Sequence, residues 1–196
     1  MTSFFGKYRG KVEQNVDPEN QARLLVSCPA VMGNAKNWAM PSVPYAGKNV
    51  GFYAMPPVGA NVWVEFEAGN IDYPIWSGCF WGKGELPAKA VSPATKFWDT
   101  EYISLTLDNR QRKGGTILTV GSPAVSVPIR ISAADDGVTI SLASVKLQLR
   151  KNGIDISLPP GNIGMTSNGL VLKHGGATVA LQRVKVSINN GAFEVT

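Results

Sequence analysis

His174 is the one histidine in a chain of 196 residues, and its position is set by spacing. It falls sixteen residues after Leu158, which itself falls sixteen after Leu142, so it occupies an otherwise apolar phase. If three copies shared an axis, three imidazoles would meet there, and three nitrogens completed by solvent suit Fe, Zn or another divalent ion. The alternative is a hydrogen-bonded or outward-turned imidazole, because Gly175-Gly176 follows directly and reads as an irregular turn. Glu65 and Glu67 have the spacing of paired carboxylates, but alternation puts both on the wet face of one strand beside a turn. General acid-base work needs a shifted pKa in a cleft, so a solvated edge is the favoured reading. Asp135-Asp136 approaches a turn. With one histidine there is no Ser/His/Asp arrangement, and no glycine-rich phosphate loop leads into a helix, so the chain is expected not to be an enzyme. Cys28 and Cys79 lie in apolar surroundings without a Cys-x-x-Cys pair, and read as buried free thiols rather than as a disulfide or a metal site.

The phase that places His174 comes from a repeat. Gly137, Gly153 and Gly169 are sixteen residues apart, each preceded by Asp or Asn and followed by alternating apolar residues. Examples are Asp136-Gly137-Val-Thr-Ile-Ser-Leu142 and Asn152-Gly153-Ile-Asp-Ile-Ser-Leu158. Alternation returns halfway through each copy, at Val145, Leu147 and Leu149, at Gly161, Ile163 and Met165, and at Ala177, Val179 and Leu181. The half-period is therefore eight residues, room for one short strand and a turn, with Asn-Gly or Asp-Gly supplying the positive φ of a tight reversal. The same pattern extends upstream through Val125 to Ile131 and downstream through Val184 to Ile188.

Each such strand has one dry and one wet face, Thr139, Ser141, Lys146, Gln148, Arg150, Asp155 and Lys173 being wet. A narrow stack of these strands cannot cover its own dry face, and beyond Tyr102 Phe193 is the one aromatic available for a core. Three chains wound about a common axis would bury the dry faces and pair strand edges between chains. The expectation is an intertwined trimeric β-helix or β-prism over residues 101–196. A monomeric sandwich or single-chain solenoid is the competing architecture.

The first half is different in kind. Sixteen of the seventeen aromatics lie at or before Tyr102. Short strands are expected at Tyr8 to Val12, Arg23 to Cys28, Val62 to Phe66 and Tyr73 to Trp81, with Val31 to Gly51 as a long loop-like connection. Five short strands with irregular joints in about eighty residues suit a small barrel of the oligonucleotide/oligosaccharide-binding (OB) type over residues 1–82. Residues 83–100, with Pro87 and Pro93, read as a linker. The fold class expected is thus all-β. The aromatics Trp38, Tyr45, Phe52, Tyr53, Trp63, Trp76 and Trp81 serve core packing or, as the rival function, stack the bases of single-stranded nucleic acid or bind an oligosaccharide.

Net charge is +5, from 19 basic and 14 acidic residues without a basic run, a weak hint of an anionic partner. No window approaches a transmembrane helix, and Met-Thr-Ser-Phe-Phe-Gly-Lys-Tyr-Arg-Gly lacks a signal peptide's apolar stretch. The protein is expected to assemble in the cytoplasm of the cell that makes it.

Residues Met55-Pro-Pro-Val-Gly-Ala-Asn-Val-Trp-Val-Glu-Phe-Glu-Ala-Gly-Asn-Ile-Asp-Tyr-Pro-Ile-Trp-Ser-Gly-Cys79 closely resemble the core of the N-terminal OB domain of phage baseplate spike proteins. These are the baseplate assembly protein V group and the spikes of type VI secretion (VgrG) and extracellular contractile injection systems. Tyr8-Arg-Gly-Lys-Val, Asp17-Pro-Glu-Asn and Arg23-Leu match that family's opening hairpin. The resemblance implies a structural spike of a phage or phage-like particle, a homotrimeric needle, and partners in a hub protein, the inner tube and the target envelope, with no nucleic acid. It also implies a PAAR-like tip protein, for which Asn190, Gly191, Phe193 and Val195 would form the docking end. Some relatives hold iron near the apex through a His-x-His pair from each subunit; here Leu172 stands where the partner of His174 would be. The eighteen residues of 83–100 leave no room for an enzyme domain, and seven residues ahead of Tyr8 leave none for a fused hub.

Overall fold

The computed structural model describes residues 3–90 and 92–195. Contacts divide the chain into two units, one up to Pro87 and one from Ala88.

In the first unit, β1 (Tyr8–Gln14), β2 (Leu24–Ser27), the single-turn α1 (Pro29–Met32), β3 (Lys36–Pro41), β4 (Ala46–Gly47), β5 (Val50–Gly51), β6 (Asn61–Phe66) and β7 (Pro74–Cys79) follow in order. Strands β1, β2, β3, β7 and β6 close into a barrel, and β4 and β5 form a separate two-stranded hairpin. Strict alternation explains the inside: Val62, Val64 and Phe66 of β6 are buried with Val12, Leu24, Val26, Cys28, Ala39 and Trp76. Closure requires close approach at Gly10, where a Cβ would lie 2.7 Å from Val64 Cγ2 and 2.8 Å from the Ser27 carbonyl oxygen. The β1–β2 connection is held by Asp17, whose carboxylate accepts from the backbone N–H groups of Glu19, Gln21 and Arg23 and from the Arg23 guanidinium. That pair is nearly buried, and Arg23 first, then the backbone donors, hold the Asp17 carboxyl well below the usual carboxylate range.

Two expectations are corrected here. β3 lies inside the stretch read as a loop: its alternation is hidden because only Ala39 is fully buried, while Lys36 and Met40 face out. Cys28 is buried, and burial pushes its thiol pKa up, but Cys79 ends β7 exposed.

In the second unit, β8 (Thr95–Asp99), β9 (Ile103–Asp108), β10 (Gly115–Val120), β11 (Ile129–Ala134), β12 (Gly137–Leu142), β13 (Val145–Arg150), β14 (Gly153–Leu158), β15 (Gly161–Thr166), β16 (Gly169–His174), β17 (Ala177–Gln182), β18 (Val186–Ile188) and β19 (Phe193–Val195) form one sheet in sequence order. Every pairing is antiparallel. From β12 to β17 each strand is six residues long and starts eight after the last, the half-period of the repeat. β8 lies within the stretch read as linker.

Consecutive strands reverse through short turns, so each of β9 to β18 finds both hydrogen-bonding neighbours in its own chain. This corrects the expectation that rungs pair edges between chains: among the described residues of this sheet only the outer edges of β8 and β19 are open. The repeat glycines also have a second reason. At Gly137, Gly153 and Gly169 a Cβ would overlap the carbonyl oxygens of Leu149, Met165 and Leu181 respectively, and Gly137 and Gly169 additionally have φ of +126° and +144°.

Candidate functional site: an uncovered apolar sheet face

Because the register never slips, side chains of one parity line up across the whole sheet of the second unit. The central column runs from Trp98 through Leu105, Leu118, Ile131, Ile140 and Leu147 to Ile156, Ile163, Leu172, Val179, Ile188 and Phe193. A flanking column carries Val138, Leu149, Ile154, Met165, Leu170, Leu181, Val186 and Val195. On the other flank, Ile103, Val120, Ile129, Leu142 and Val145 are followed by Leu158, Gly161, His174 and Ala177.

Among the described residues of the unit, none lies over these columns. Among the described residues from Ala88 on, no hydrophobic side chain is buried; Ile140 is 38% and Leu158 57% exposed. The buried core of the chain lies wholly in the barrel. A sheet with one dry face is stable only when that face is covered, and contiguous apolar surface on this scale marks an interface.

His174 stands in the flanking column, between Gly161 on β15 and Ala177 on β17. Both neighbours are small, so a hollow of about 690 Å³ opens there, lined by Leu158, Pro160, Leu172, Val179 and Ile188 among others. Among the described residues of one chain, no group of three His, Cys, Asp or Glu side chains could hold a metal ion. One imidazole in an apolar column fits a metal only if further copies supply the other donors. At the far end, Asn190 and Gly191 form a tight turn with positive φ, and Phe193 and Val195 are exposed on β19.

The aromatics of the barrel divide. Trp76 is buried with its indole N–H donating to the Ala22 carbonyl at 3.2 Å; Trp38 lies beneath the Arg23 guanidinium, and Trp63 packs on Phe80. Tyr45, Phe52 and Tyr53 are exposed around a pocket of about 360 Å³ beside the β4–β5 hairpin; its lining has Gln21 and Asn49 but no lysine or arginine. Glu65 is ion-paired to Lys7 at 2.6 Å, and Glu67 opens the turn after β6. Sequence reasoning had no signal for that pocket, since the hairpin interrupts the alternation on which strand assignment depends.

The chain thus carries a closed five-stranded barrel followed in sequence by a long antiparallel sheet, an all-β architecture. Residues 8–81, which contain the barrel, match the type VI secretion system/phage-baseplate injector OB domain. No curated protein matches the chain. That description places the matched domain in the injectors of type VI secretion systems and phage baseplates. No helix among the described residues is long and apolar enough to cross a membrane.

Proposed function

We propose that three copies of the chain assemble into the central spike of a contractile injection particle, a phage tail or a phage-like device. The barrels seat on a separate hub protein and the inner tube, and the three sheets close their dry faces against one another as a needle that meets the target envelope when a sheath contracts. The observation that carries this reading is the uncovered face: twelve strands in unbroken register whose apolar columns have no partner in their own unit. Two sister sheets would supply that partner, with the same face used by each copy around the axis. Stiffness comes from the ladder within each chain, so axial load is shared over many backbone hydrogen bonds.

In such a trimer three His174 side chains face the axis and form a site for Fe or Zn. The open edge of β19, with Asn190, Gly191, Phe193 and Val195, offers a PAAR-like tip protein both unpaired backbone groups and exposed apolar side chains. The rival reading, stacking of single-stranded nucleic acid on the barrel aromatics, needs cations beside them, and the pocket below Tyr45, Phe52 and Tyr53 has none in its lining. Light scattering on the purified chain tests the proposal: a mass of three subunits is expected, and a stable folded monomer at micromolar concentration would overturn it.

A further inference from the structure

The charge of this chain is not shared between its units. Up to Pro87 there are seven basic and seven acidic residues; from Ala88 on there are twelve basic and seven acidic, so the whole excess of +5 belongs to the second unit. Three of the seven acidic residues there are already committed, Asp99 to Lys89, Asp108 to Arg110 and Glu194 to Lys185.

What remains is organised by register. On the wet face one column reads Arg130, Ser141, Lys146, Ser157, Asn162, Lys173 across six successive strands. All three cations are exposed, and among the described residues none makes an ion pair. The strands separating them put Arg130 roughly 9 to 10 Å from Lys146 and Lys146 about 14 Å from Lys173. On that face from β10 to β17 the one carboxylate is Asp155, which accepts a hydrogen bond from Asn162 Nδ2 at 2.9 Å.

We propose that this column is a docking surface for the phosphates of anionic lipid headgroups, the short hydroxyl and amide side chains between the cations acting as hydrogen-bond donors. Charge complementarity carries the assignment, since a cation beside an anionic leaflet is attracted with little desolvation. The face suits a planar array of headgroups better than a nucleic acid: from β9 onward no aromatic stands at a wet-face position of the strands, Phe193 of β19 having the parity of the dry face. The inference deepens the envelope-facing part of the proposed function and takes its biological setting from it, while the charge is a property of each chain alone.

The test is co-sedimentation of the full chain with vesicles of phosphatidylcholine alone or with phosphatidylglycerol added. Binding should need the anionic lipid and weaken as salt is raised. Replacing the column together (Arg130→Gln, Lys146→Gln, Lys173→Gln) should weaken it on the order of tens to a hundredfold, roughly fivefold per cation. Lys11→Gln with Lys48→Gln and Lys83→Gln, the same charge change in the first unit, should leave it within about twofold. Equal binding to neutral vesicles, equal loss in the barrel variant, displacement by millimolar inorganic phosphate, or preference for duplex DNA over vesicles would each overturn the proposal. Light scattering and circular dichroism on both variants separate this outcome from a failure of trimerisation or folding.

Discussion

The first atom that a side chain at Gly137 would meet is the carbonyl oxygen of Leu149, on the next strand of the sheet. Gly137 also has φ of +126°, a region that L residues rarely adopt. Gly137→Ala therefore adds both a steric overlap and backbone strain, at a cost on the order of 1–3 kcal/mol. The urea midpoint should fall accordingly. An unchanged midpoint would mean that the start of β12 relaxes without penalty.

On the uncovered face, Ile156 and its neighbour Ser157 point opposite ways. Ile156→Asp should put three carboxylates together where the dry faces meet, so the three-subunit mass should be lost and, with its dry face uncovered, the sheet should be destabilised along with it. Ser157→Asp, on the wet side, should retain the larger mass. Matching behaviour of the two variants would remove the basis for the trimer.

His174 interrupts a column that contains Leu142 and Leu158. Elemental analysis of the purified protein should find about one Fe or Zn per three chains, and His174→Leu should abolish it while keeping the assembly, since leucine restores the apolar phase. A metal-free wild type would end the proposed axial site.

Asp17 provides the pH dependence. Its carboxyl pKa is depressed in the folded protein, chiefly by the Arg23 guanidinium. The folded state thus favours the ionised form, and the resulting stabilisation is complete above the ordinary aspartate pKa of 3.8. It is lost progressively as pH falls below that value. In Asp17→Asn this contribution is missing at neutral pH, so its thermal midpoint should lie below that of wild type at pH 7. The two midpoints should converge towards pH 2. A gap that stays constant with pH would assign the loss to geometry rather than charge.

The sheet was largely legible in the sequence because its information is local. A strand of six and a turn of two recur with a dry face of fixed parity, and the strand starts at Gly137, Gly153 and Gly169 coincide with the repeat itself. The barrel was legible where alternation is strict, as at Val62 to Phe66, and through its likeness to injector OB domains. β3 was not, since Ala39 is its one fully buried side chain and a lone alanine carries little signal. The pairing of rungs is not legible either: periodicity shows that strands exist but not whether the next strand belongs to the same chain. His174 could be placed on the dry side from spacing alone, whereas the hollow around it depends on Gly161 and Ala177, which are distant in sequence and adjacent only through register.

Since every rung is satisfied by the rung before it, the sheet behaves as a ruler whose length is written in hairpins. Inserting or deleting one sixteen-residue copy would shift the end of the ladder by roughly 9 to 10 Å without rearranging a single side chain elsewhere. The length of the ladder can therefore be retuned in fixed increments by gene duplication within the repeat, while the barrel stays untouched.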